Sequence, residues 1–71
     1  MEILAKRIKE LRKEYKMTQA DLAERLHVDR ATIAGYELNK REPSLEILLS
    51  LSAALHVPTD YLLGNEPEKR E

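Results

Sequence analysis

The side chains of this chain that could do chemistry are few, and their types favour binding over bond-making. There is no cysteine, so no thiol nucleophile, disulfide or thiolate metal site is available. The two histidines, His27 and His56, fall at a helix corner and a helix end, and no acid cluster has metal-ligand spacing. No glycine-rich phosphate loop occurs. No cofactor, metal or small-molecule ligand is implied, and catalysis is not expected. What remains is a set of polar and basic residues at the ends of short helical segments: Thr18 and Gln19, then Arg30, then Lys40 and Arg41. Arg30 carries a forked guanidinium that can bond two acceptors together, such as O6 and N7 of guanine. Thr18 and Gln19 open a segment whose unpaired N–H groups and positive dipole end suit a phosphate.

The stretch that must position these groups is Thr18 to Glu37, TQADLAERLHVDRATIAGYE. Thr18 is a good N-cap, with Asp21 where a capping box places its acid. Leu22, Ala23 and Leu26 then recur at helical spacing. Asp29 is a second N-cap, and Ile33 and Tyr36 give the following helix an inward face. His27 to Asp29 is too short for a loose loop. It suits helix-turn-helix, in which two helices meet at about 90–120° across a 3–4-residue turn. Ala23 lets the two helices cross closely, and Val28 plugs the corner.

The rest of the chain supplies a frame. A first helix over Ile3 to Tyr15 places Ile3 or Leu4, Ile8, Leu11 and Tyr15 on one stripe. Met17, before the Thr18 cap, can fold back as a hydrophobic staple. Arg12 lies near the apolar stripe, where an unpaired charge would be costly. Ser44 caps a fourth helix with Leu45, Leu48, Leu51, Ser52 and Leu55 as its main stripe. Ile47, Leu49, Ala53 and Ala54 widen that surface, either for a fifth helix to cover or for a partner. Thr59 is expected to cap the short fifth helix, DYLL, with Leu62 and Leu63 closing the core.

Totals set the limits. Seventy-one residues make one small domain, and a chain this size buries only about 60% of its unfolded surface, so packing must be efficient. Three Pro, two Gly and no alternating apolar run indicate an all-α chain. No apolar stretch approaches the ~18 residues of a membrane span, and no signal peptide is visible, so a cytoplasmic location is the default. The net charge is −1, but it is divided unevenly. Residues 1–41 hold ten basic and seven acidic side chains, and residues 42–71 hold two and six. Local positive charge, which binding to a polyanion requires, is therefore permitted.

The pattern Leu22, Ala23, Leu26, Val28, Ile33, Tyr36, continued through GYELNKREPSLEILLSLSAALHVPTDYLLG, resembles the helix-turn-helix of the Xre-type phage-repressor family. The resemblance runs from Ile3 to Gly64. It implies a compact five-helix bundle over residues 1–64, with helices 2 and 3 as the motif and residues 65–71 as a charged tail or the start of a linker. It implies that the helix from Asp29 to Glu37 enters the major groove of double-stranded DNA. Asp29, Arg30, Ala31 and Gly35 then match base-facing positions. Gln19 matches a phosphate-clamping position, and the helix ends around the base-facing helix are expected to add phosphate contacts from Thr18, Lys40, Arg41 and the backbone N–H of Asn39. Arg12 matches the arginine that pairs with a glutamate at the position of Glu37; the alternative is two independent surface charges. For Arg30 the alternative is a phosphate contact or solvent, and for Thr18 it is capping alone. Two departures from the family are His27 and Asn39, where glycine is common.

Such a domain acts as a homodimer on a roughly palindromic operator, with Val57, Pro58, Tyr61 and Leu62, or a region outside this chain, as the contact. The implied function is sequence-specific DNA binding, most simply as a transcriptional repressor. The alternatives are an antitoxin of a toxin–antitoxin pair and a protein-interaction module that has lost DNA binding.

Overall fold

The structure, a computed structural model, describes residues 1–65. Among them are five helices and no strand: α1 Glu2–Glu14, α2 Gln19–Leu26, α3 Arg30–Glu37, α4 Leu45–Leu55 and α5 Thr59–Leu62. Of the expected tail, residues 65–71, all but Asn65 lie outside the described residues. Each helix contributes a side chain with no solvent exposure to one core: Ile8, Leu22, Ile33, Leu51 with Leu55, and Leu62. Around these pack Leu4, Leu11, Ala23, Leu26, Tyr36, Leu48 and Val57. α1 and α4 form the frame, while α3 packs chiefly on α2 and α1 and leaves its opposite side open. Arg7 of α1 sets its guanidinium 4.0 Å from the centre of the Tyr61 ring and donates to the Tyr61 carbonyl, which fixes α5 to α1.

The helix starts follow local sequence. Thr18 and Asp21 form a reciprocal capping box, the Thr18 Oγ1 accepting from Asp21 N at 3.0 Å and the Asp21 carboxylate from Thr18 N at 2.9 Å. Asp29 and Ser44 cap α3 and α4 through Thr32 N and Ile47 N. Thr59, expected as a cap, is instead the first residue of α5; Pro58 precedes it and no side chain caps that end. The fixed φ of proline, here −72°, sets the entry to the helix in its place.

Three further placements differ from the sequence expectation. Tyr15 lies beyond α1, 44% exposed, with its ring edge against His56 at 5.3 Å. Leu45 and Leu49 are 72% and 55% exposed. One turn apart, they share with Ala53 the row of α4 that faces solvent, and α5 does not cover it; the buried row is Leu48, Leu51 and Leu55. Val57 and Leu62, offered above as dimer surface, are instead core residues at 5% and 0% exposure. Of that set only Pro58 is exposed, and Tyr61 is half-buried.

Every helix stops at a left-handed residue, the first after α2 and α4 and the second after α1, α3 and α5. These residues are Lys16 (φ 58°), His27 (59°), Asn39 (59°), His56 (59°) and Gly64 (77°). The amide after each returns to a carbonyl in the last turn, as in Met17 N to Arg12 O, Val28 N to Ala23 O and Lys40 N to Gly35 O. Four of the five reversals are made without glycine. The sequence flagged His27 and Asn39 but gave no sign at Lys16 or His56.

The Arg12–Glu37 pair is present and deeply placed, its side chains 9% and 3% exposed. Arg12 Nε and Nη2 donate to the two Glu37 oxygens at 2.6 and 3.1 Å, and Nη1 donates to the Met17 carbonyl at 2.8 Å. Burial pushes the Glu37 carboxyl up, but hydrogen bonds from Arg12 and Gln19 and the Arg12 charge outweigh it, holding the carboxyl below its ordinary value. The bond to Glu37 likewise raises Arg12, against burial.

Two stability tests follow from these features. Lys16→Gly and His27→Gly relieve left-handed strain of about 1 kcal/mol each, so each should raise Tm by about 4–8 °C in thermal denaturation followed by circular dichroism. No rise at either position would remove the strain. Arg12→Met strands the Glu37 carboxylate and should cost about 3–5 kcal/mol in urea titration near neutral pH. Because the folded Glu37 pKa is depressed, the pair's contribution is present above the ordinary glutamate range, about 4.3, and fades as the pH falls through the lower folded value. The gap between wild type and variant should therefore narrow on acidification.

Candidate nucleic-acid interface

α2 and α3 meet across three residues, His27 to Asp29. The left-handed His27 turns the chain, Val28 packs partly buried against the core, and Asp29 starts the next helix. On α3, Ile33 and Tyr36 face inward; Arg30 and Ala31 are exposed, and Thr32, Ala34 and Gly35 are half-buried. Successive residues turn by about 100° around a helix, so Ala31 and Gly35 form a smooth outward strip flanked by positions 30 and 32.

Arg30 does not hang free on that surface. Its Nη1 donates to Gln19 Oε1 at 3.0 Å, and Gln19 Nε2 donates to Glu37 Oε1 at 3.0 Å. A continuous chain of bonds thus runs from buried Arg12 through Glu37 and Gln19 to exposed Arg30. It joins α1 to both ends of α3 across the first residue of α2. This fixes the root of the guanidinium and leaves most of its five donors available. Gln19, matched above to a phosphate position, keeps one amide proton beyond this network.

Asp29 is held by its cap. Its Oδ1 accepts from Thr32 N at 3.0 Å and from Thr32 Oγ1 at 2.7 Å, and these bonds keep the carboxyl below its usual range. Thr32 was not singled out in the sequence, although its place three residues after an N-cap is the local signal for this bond. At the other cap, the Thr18 hydroxyl accepts through a lone pair, so its proton remains a donor. Capping and an outward contact are compatible there.

The turn after α3 corrects one expectation. The N–H groups of Asn39, Lys40 and Arg41 all fold back onto Tyr36 O and Gly35 O, at 3.1, 2.9 and 3.2 Å. The Asn39 amide therefore has no backbone bond to offer a phosphate, because the left-handed turn uses it to close α3. Asn39 Oδ1 and the Glu42 carboxylate instead accept from the Met1 ammonium, at 2.8 and 2.7 Å. Lys40 and Arg41 present exposed side chains beside α3, and Arg41 lies over Gly35. Among the described residues no group of His, Cys, Asp and Glu could hold a metal ion, and no helix is long and apolar enough to cross a membrane.

Known proteins agree with this geometry. A family model described as helix-turn-helix matches residues 8–62. The chain is 41% identical over 63 residues to the HTH-type transcriptional regulator ImmR of Bacillus subtilis, covering 89% of this chain and 50% of that protein. Among solved structures, the c2 repressor of Salmonella phage P22 with synthetic operator 9T superposes with a TM-score of 0.84 at 38% identity, covering 89% of this chain and 96% of that one. The N-terminal DNA-binding domain of SinR from Bacillus subtilis gives 0.83 at 31% identity, covering 97% and 100%. The chain spans about half the length of the curated relatives it matches. With its five-helix core, three-residue corner and one-sided α3, the chain belongs to the Xre/Cro-type helix-turn-helix family.

Proposed function

We propose that this domain binds double-stranded DNA sequence-specifically, with α3 in the major groove, and represses transcription. The observation that carries the reading is Arg30. It sits at the outer end of a helix that packs on one side only, and Gln19 orients it through a bond network rooted in a buried ion pair. A fixed fork at that place suits the O6 and N7 acceptors of guanine. The major groove admits one helix, and the N-terminal residues of a recognition helix are those that reach base edges. Asp29, through its second carboxylate oxygen, and the small Ala31 stand beside Arg30 at the same level. Thr18 and Gln19 supply phosphate contacts at the start of α2, and Lys40 supplies one across the groove. The P22 c2 repressor, a relative in fold and sequence, has been solved on an operator, which supports the same docking here.

One domain of this size buries little DNA surface, so tight binding needs two copies on a roughly palindromic site with half-sites about 34–36 Å apart. Val57 and Leu62 lie in the core, so the two-fold contact falls on other residues. A protein-interaction reading draws on a different observation, the exposed Leu45 and Leu49. DNA titration separates the two.

Fluorescence anisotropy on duplex from upstream of the chain's own gene, across a salt series, is the direct test. Binding should weaken steeply as salt rises. Lys40→Ala should weaken all sequences alike and lower the salt slope by about 1, whereas Arg30→Ala should cost about 1–3 kcal/mol chiefly at one base pair. A folded chain that binds no duplex at low salt would reject DNA binding and favour the interaction module.

A further inference from the structure

Arg41 is seated on the recognition helix itself. A Cβ added at Gly35 would stand 2.7 Å from Arg41 Cδ and 3.0 Å from its Cγ. The aliphatic stem therefore rests on bare α3 backbone, in space that any other residue at position 35 would fill. From there the guanidinium reaches back toward the first turn of α3, with Nη1 3.4 Å from Thr32 Oγ1. That contact is long and engages one of the five guanidinium donors, so the others remain open. Positions 30 and 32 lie about 200° apart around the helix, with Ala31 between them. Two guanidiniums thus bracket the small strip of Ala31 and Gly35, one held by Gln19 and the other by its stem on Gly35.

We infer that Arg41 is a second base-edge reader, carried into the groove on α3 by its seat over Gly35, and that it takes a guanine edge. The guanidinium has donors and no acceptor, and guanine alone offers two acceptors side by side in the major groove. Gly35, matched by resemblance to a base-facing site, acts as a positioning residue for Arg41. The inference rests on the DNA-binding reading above.

The test is selection of the 71-residue chain and its variants on a duplex library with a randomised core, then anisotropy on the preferred duplex and its single-pair changes. Arg41→Ala should lose about tenfold or more of the discrimination at one base pair, distinct from the pair that Arg30→Ala relaxes. Arg41→Lys, which keeps the charge without the fork, should follow Arg41→Ala at that pair. Gly35→Ala should lose the same preference while its Tm stays equal or rises, because alanine is the better helix former. In an Arg41→Ala background Gly35→Ala should add nothing, the signature of a coupled pair. Two outcomes overturn the inference: Arg41→Ala weakening all sequences alike with a salt slope lower by about one, or the two substitutions acting independently. A wild-type chain that selects no sequence would sink the DNA-binding reading, and this inference with it.

Discussion

The buried contact between Arg12 and Glu37 sets the arrangement of the first three helices. Apolar packing is weakly directional, so Ile33 and Tyr36 alone would leave α3 some freedom to roll on its neighbours. A bidentate ion pair is directional. Arg12, in the last turn of α1, bonds the connection to α2 through the Met17 carbonyl and the end of α3 through both Glu37 oxygens, while Gln19 at the start of α2 bonds one of those oxygens. Removing such charges from water is expensive. The compensation is a dense set of hydrogen bonds around one carboxylate, and its result is a fixed rotation of α3. The outward face of that helix is defined by what its inner end is tied to.

That tie also organises the charges around α3. Three acids lie near the proposed face, and each has a local partner: Glu37 with Arg12, Asp29 with the cap at Thr32, and Glu42 with the Met1 ammonium. Arg30, Lys40 and Arg41 stand exposed around them. The weak acidity of the chain as a whole therefore says little about this surface. Its sign is set locally, within the distance over which salt screens charge, about 8 Å at physiological ionic strength.

Much of the fold was legible because its determinants are local. The caps at Thr18, Asp29 and Ser44 act within three residues, and apolar spacing marks the inner rows of α1 to α3. Periodicity shows which residues share a face, but not how wide a face the neighbours will cover. Hence Leu45 was expected inside, and Leu49 either under α5 or facing a partner, but a four-residue α5 covers neither. Tyr15 continued the stripe of α1, yet the helix stops at Glu14, the left-handed Lys16 reverses the chain just after Tyr15, and a lysine gives no warning of such a turn. At the site the residue types were legible and their couplings were not. Arg12 and Glu37 are 25 positions apart and were paired only through family resemblance. The Gln19–Arg30 bond and the seat of Arg41 on Gly35 depend on how α2, α3 and the following loop come together in space.

The one-sided packing of α3 bears on how such a domain can change over generations. Ile33, Tyr36 and Glu37 hold the helix from within, and the Asp29–Thr32 cap holds its start. A new side chain at exposed Ala31 would meet solvent or a ligand and leave the core untouched. Inheritable variation there can accumulate without threatening the fold. Descendants of one sequence could thus acquire different targets while keeping the same scaffold, and the small, exposed Ala31 is the blank on which that divergence would be written.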